Sequence, residues 1–117
     1  MHRLFVYGTL KPGHSRWPIL HVHLEPDAPV VDDAVEGRLW STPWGWPALT
    51  EGSGVVPGVV VELRHDGVDA ALAELDAVEG TSTGLFQRVE MVTAGGVRCW
   101  TYVWPNPTDG FEPIEVW

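Results

Sequence analysis

Apolar residues along this chain come in short runs broken by Gly and Pro. Leu4-Phe5-Val6 is the first, and residues 35–40, 58–64, 86–93 and 97–104 follow, rich in Val, Trp, Tyr and Phe. Runs of this length and composition predict strands joined mainly as hairpins. The clearest hairpin joins residues 86–93 to 97–104 across Ala94-Gly95-Gly96, a turn whose glycines supply positive φ angles. One stretch follows a helical period instead. From Asp66 or Gly67 to Val78, residues Val68, Leu72 and Leu75 fall on one face, with Asp66 or Asp69 as the cap and Gly80 as the stop. A short second helix is predicted over residues 17–24, with Ser15 as its cap and Pro18 in its first turn. The tail, residues 105–117, carries Pro105, Pro107 and Pro113 and is expected to run extended or looped, packing Phe111 and Trp117 back on the sheet.

Two places break these patterns. The first strand runs into Tyr7-Gly8-Thr9-Leu10 and then Lys11-Pro12-Gly13. Gly8 and Gly13 permit turns closed to other residues, so the amides of residues 8–10 can converge on one spot suited to a carboxylate or phosphate. The same residues also suit a strand followed by a polar turn. The second break is Glu79, which takes the next position on the Val68-Leu72-Leu75 stripe where an apolar residue belongs. Burial and the negative end of the helix dipole would both raise its pKa, as general acid/base chemistry requires. A frayed helix end that swings Glu79 into water is the alternative.

Size and charge narrow the class. A chain of 117 residues, 44% hydrophobic, is expected to form one domain around one core. Seven Lys and Arg against sixteen Asp and Glu give a net charge of -9, which disfavours nucleic acid and anionic membranes as partners. The lone Cys99 sits in an alternating apolar run and reads as a buried thiol, consistent with a reducing compartment. Leu4–Val6 is too short for a signal-peptide core, and no stretch approaches the roughly 20 apolar residues of a membrane span, so a cytoplasmic location is expected.

Taken together, Tyr7-Gly8-Thr9-Leu10 and Leu75-Asp76-Ala77-Val78-Glu79-Gly80 resemble the gamma-glutamylcyclotransferase-like family, which includes the gamma-glutamylamine cyclotransferases and AIG2-like proteins. Gly37-Arg38-Leu39-Trp40, Trp46-Pro47-Ala48-Leu49, Val56-Pro57-Gly58 and Phe86-Gln87-Arg88 stand in the family's order, so the resemblance covers nearly the whole chain. It implies a small mixed α+β domain around a curved, largely antiparallel β-barrel with one main helix and a ligand pocket at the barrel mouth. It further implies that residues 7–10 bind the substrate's α-carboxylate and that Glu79 is the acid/base of an intramolecular cyclisation. In that reaction a γ-glutamyl amine or amino acid gives 5-oxoproline and a free amine, with no protein nucleophile, cofactor or metal. A carboxylate-binding module without turnover, and a hydrolase releasing glutamate, are the alternatives on the same scaffold.

One residue departs from the family pattern. Seven positions beyond the acid, where the family commonly has tyrosine, this chain has Phe86, and Tyr102 is the candidate to replace the missing hydroxyl. Arg88 is read as structural, paired with Glu90 or another acid. Of the tryptophans, Trp40 is assigned to the core, while Trp44 and Trp46 in the 43–47 loop are candidates for a pocket rim. His21 and His23 have no third ligand at a metal-binding spacing, and His14 is a loop residue. Ser41, Thr42 and Ser53 lack the elbow of a serine hydrolase.

Overall fold

The computed structural model describes residues 1–117. Six strands and two α-helices follow in the order β1 (Arg3–Val6), α1 (Trp17–His21), β2 (Val31–Ser41), β3 (Pro47–Glu62), α2 (Val68–Glu79), β4 (Gln87–Val92), β5 (Arg98–Val103) and β6 (Glu112–Ile114). The strands form one sheet in the order β4-β5-β1-β3-β2-β6, antiparallel throughout except where β1 runs parallel to β5. This is the mixed α+β architecture expected, a curled half-barrel with β4 and β6 at its free edges.

Strand alternation explains the curl. Along β1 and the residue after it, Leu4 and Val6 enter one apolar cluster while Phe5 and Tyr7 enter another on the opposite face. The first cluster takes in Ala71, Leu72 and Leu75 of α2, so the helix covers that face. The buried members of the second cluster come from β1, β2, β3 and β5 and from residues just past strand ends, with no helix among them. A sheet face buried against its own strands has to be bent.

Several boundaries differ from the sequence expectation. β3 begins at Pro47 rather than near residue 58, because its polar first half pairs with β2 in a long hairpin, with a register shift between Gly37 and Arg38. Pairing of Thr50, Gly54 and Val55 to β2, invisible in the local pattern, keeps this largely exposed segment in the strand, with residues 51–53 bulging between the pairs. Helix α1 ends at His21 instead of residue 24, and the residue before it is Arg16, not Ser15; neither helix start carries a side-chain cap. For α2 the capping position is Gly67, so neither Asp66 nor Asp69 serves, although Asp69 lies in the first turn beside the positive end of the dipole. Its other end follows the sequence reading, with Gly80 left-handed at φ 71°.

In the 94–96 turn only Gly96 has a positive φ, at 82°. A Cβ on Gly95 would lie 2.9 Å from the carboxylate of Asp33, which accepts the Gly95 N–H, so that side chain would have to shift. The tail packs back as expected, Phe111 on the first cluster and Trp117 on the second, and it adds β6 to the β2 edge, where Pro113 is tolerated. Cys99 is fully buried and burial pushes its thiol up to about 11, so it is poorly reactive. No helix is long and apolar enough to cross a membrane.

Candidate active site

A pocket of about 380 Å³, including its open mouth, lies where β1 ends against the C-terminus of α2. Tyr7, Gly8, Thr9, Leu10 and Glu79 all line it, so residues 69 or more positions apart in sequence share one cavity. The loop is fixed through its carbonyls. Gly8 O accepts the Lys11 N–H at 3.0 Å and Thr9 O accepts the Arg16 N–H at 2.8 Å, whereas the N–H groups of residues 8–10 donate to no acceptor in the protein. Free amides on the wall of a pocket form a ready anion cradle.

Gly8 is required for a reason other than turn geometry. It has no positive φ; the left-handed glycine of this loop is Gly13, at φ 83°. A Cβ on Gly8 would stand 2.8 Å from Cγ of Pro47, so the loop and the β3 start approach too closely for any side chain. Tyr7 anchors the loop from below, its buried hydroxyl donating to the Tyr102 carbonyl at 2.7 Å. Burial, with the Glu79 charge adding to it, pushes that phenol well above the ordinary tyrosine range.

Glu79 is the last residue of α2 and is 6% exposed. Its carboxylate accepts no hydrogen bond from the protein, and since no sealed side-chain polar atom lacks a partner, both oxygens reach the open space of the pocket. Burial raises its pKa from 4.5 to about 7, against the opposing pull of the Arg16 guanidinium, whose nearest nitrogen is 3.7 Å away. An acid that changes charge near neutrality, buried, free of hydrogen bonds from the protein and open to a cavity, is equipped to accept and return a proton.

Arg16 was not foreseen as a site residue. It is one of only seven cations in an acidic chain and lies six residues past the loop, the one signal that could have singled it out. Also unforeseen is the network behind the pocket. Tyr102 donates to Oδ1 of Asp76 at 2.7 Å, and Arg88 grips both Asp76 oxygens at 2.8 and 3.2 Å while stacking on Trp100 at 4.3 Å. Arg88 is therefore structural, paired to Asp76 rather than Glu90, which binds Arg98. Asp76 lies three residues before Glu79, so the helix presents both on neighbouring faces.

Tyr102 does line the pocket, but its hydroxyl is committed to Asp76, and Phe86 brings no hydroxyl. Trp46 lines the wall as well, whereas Trp40 donates to Thr50 outside it. Of the histidines, His21 packs on Trp17, His23 pairs with Glu74 and His14 lies against Trp117. No three His, Cys, Asp or Glu side chains meet in a group suited to a metal ion.

A largely buried carboxylate with one guanidinium 3.7 Å away thus shares a pocket of the curled sheet with a loop of free amides. The chain belongs to the family described as gamma-glutamyl cyclotransferase, AIG2-like, which it matches over residues 4–116. It is 34% identical to protein ytfP of Escherichia coli, covering 97% of this chain and 92% of that one with a TM-score of 0.66. An AIG2-like protein of mouse has the same fold at 22% identity, over 100% of this chain and 88% of that one, with a TM-score of 0.78. A structure described as a gamma-glutamyl cyclotransferase matches at 18% identity over 96% and 69%, TM-score 0.57. No curated protein matches the sequence.

Proposed function

We propose that this member cyclises the γ-glutamyl group of a small γ-glutamyl amide, forming 5-oxoproline and releasing the amine. The observation that carries the reading is the Glu79 carboxylate, which accepts no hydrogen bond from the protein, sharing a pocket with the free amides of residues 8–10. Those amides bind the substrate's α-carboxylate and so fold the glutamyl chain back, bringing its α-amine toward its γ-carbonyl, a pre-organisation that lowers the barrier substantially.

The proton count explains why one carboxylate suffices. The α-ammonium nitrogen enters with three protons and ends in the lactam with one, while the amide nitrogen leaves as an ammonium with two more than it had. Two protons therefore pass from the attacking nitrogen to the departing one as the new C–N bond forms and the old one breaks. Glu79, titrating near 7, takes and returns them in turn.

A carboxylate-binding module without turnover is the second reading, favoured by Phe86 in the wall and by the engaged Tyr102 hydroxyl. Incubating the protein with γ-glutamyl amides and γ-glutamyl amino acids separates the readings. 5-Oxoproline is the expected product; free glutamate indicates a hydrolase, and binding without product indicates the module.

Gly8→Val tests the cradle. The side chain must displace Pro47 or the loop, and a roughly tenfold or greater rise in KM or Kd for a γ-glutamyl amide is expected. Unchanged ligand affinity in the folded variant would take the carboxylate away from this loop.

A further inference from the structure

Beside Glu79, the pocket wall is made by Trp46 and Phe86, whose rings lie 5.4 Å apart. The aromatic surface does not stop there. Trp44 stacks on Trp46 at 5.1 Å and 23°, and Phe111 meets Trp44 edge-on at 5.6 Å. Trp104, 8% exposed, backs both Trp46 and Phe86. Core packing accounts for Trp104 but not for Trp44, which is 57% exposed. The turn that carries it is held by bonds from Thr42 Oγ1 to Trp46 O and from Gly45 N–H to Thr42 O, with Gly45 at φ 85°. A large indole is thus fixed in the open, continuous with the wall of the reaction pocket.

Charge narrows what this shelf can take. Arg16 is the only cation lining the pocket and it faces Glu79, the only acid there. The other six cations are engaged elsewhere: Arg3 with Glu62, Lys11 with the Trp117 carbonyl, Arg38 over Trp40, Arg64 with the Leu24 carbonyl, Arg88 with Asp76 and Arg98 with Glu90. A leaving group bearing a carboxylate or an ammonium would meet in the pocket only Arg16 and Glu79, which already face each other, so its desolvation against these rings would go largely uncompensated. A planar, uncharged group meets neither penalty and gains stacking on indole.

We propose that the leaving-group side of the pocket selects amines that carry an aromatic ring and no charged group, with Trp44 and Trp46 as the stacking surface. The proposal rests on the cyclotransferase reading, in which the part of the substrate beyond the scissile bond extends from Glu79 toward the pocket mouth.

Its test compares γ-glutamyl benzylamide, γ-glutamyl ethylamide, γ-glutamyl phenylalanine and ε-(γ-glutamyl)lysine as sources of 5-oxoproline. The benzylamide is expected to exceed each of the others in kcat/KM by about tenfold or more. Trp44→Ala should remove most of that advantage over the ethylamide, and Trp44→Phe should restore it. Equal kcat/KM for benzylamide and ethylamide, preference for either charged substrate, or an equal loss on both amides in Trp44→Ala overturns the proposal. If no substrate yields 5-oxoproline, the cyclotransferase reading fails, and calorimetric Kd values for the two amides decide the shelf by itself. A preference for the benzylamide of about tenfold that Trp44→Ala abolishes sustains it, and equal Kd values overturn it.

Discussion

Glu79→Gln is expected to lower turnover by about a hundredfold or more while leaving the substrate bound and the protein folded, the usual scale for loss of a general acid/base. Gln keeps the shape of the side chain, and its amide reaches the same pocket space as the carboxylate, so it stays hydrated. The wild-type rate should rise with pH through a midpoint near 7, as the carboxylate ionises and becomes able to accept a proton. Arg16→Gln removes the one opposing influence on that carboxylate, and the midpoint should move upward. A Glu79→Gln protein that forms 5-oxoproline at the wild-type rate, or a flat wild-type profile between pH 5 and 8, removes Glu79 from the chemistry.

The same substitution has a stability signature of opposite benefit. The unfolded chain releases the Glu79 proton near 4.5 and the folded one near 7. Below 4.5 the group is neutral in both states and costs nothing. As pH rises from there to 7 the folded state holds the extra proton, so stability falls, and above 7 the deficit stays constant. Over that interval the deficit reaches roughly 3 kcal/mol. Glu79→Gln should therefore match the wild type near pH 4 and exceed it by an amount of that order at pH 8, as read by urea unfolding at the two pH values. Equal stability at both would mean that the carboxylate is not desolvated.

Gly58→Ala is expected to destabilise the fold by about 3 kcal/mol, the upper range for overpacking, and to lower Tm by roughly 10 °C. A Cβ at this position would run into the Val6 carbonyl oxygen and lie 2.6 Å from the Phe5 ring. Neither neighbour can yield cheaply. Val6 O belongs to β1, clamped between β3 and β5, and Phe5 is 1% exposed in the second cluster. Any relief that moves β1 also moves the 8–10 loop at its end, so ligand affinity should fall together with Tm. Gly67→Ser, where nothing lies within 4 Å and the helix gains a capping side chain, serves as the control and should leave Tm unchanged or slightly raised. A Gly58→Ala protein that melts with the wild type would show that β1 can back away from β3.

What the sequence could specify was local. The Val68-Leu72-Leu75 stripe with Gly80 behind it determined α2 and put an acid at its end, because side-chain period and a left-handed stop are properties of neighbouring residues. The alternating apolar runs determined β4 and β5, and the Tyr7–Leu10 and Leu75–Gly80 motifs carry the family by themselves. The polar half of β3 was illegible, since only pairing with β2 holds it extended.

Tertiary structure alone decided the rest, because each remaining feature is a distance between residues far apart in the chain. Gly8 looks like a turn residue in sequence and Gly58 like the start of a strand, yet both are contact residues in space, the one against Pro47 and the other against Val6 and Phe5. The charge of Glu79 depends on Arg16, 63 positions earlier, and Arg88 and Tyr102 converge on Asp76 from β4 and β5. Helix-end electrostatics could be argued from sequence, but burial, which dominates the Glu79 shift, exists only once the sheet has curled and α2 has closed over the end of β1.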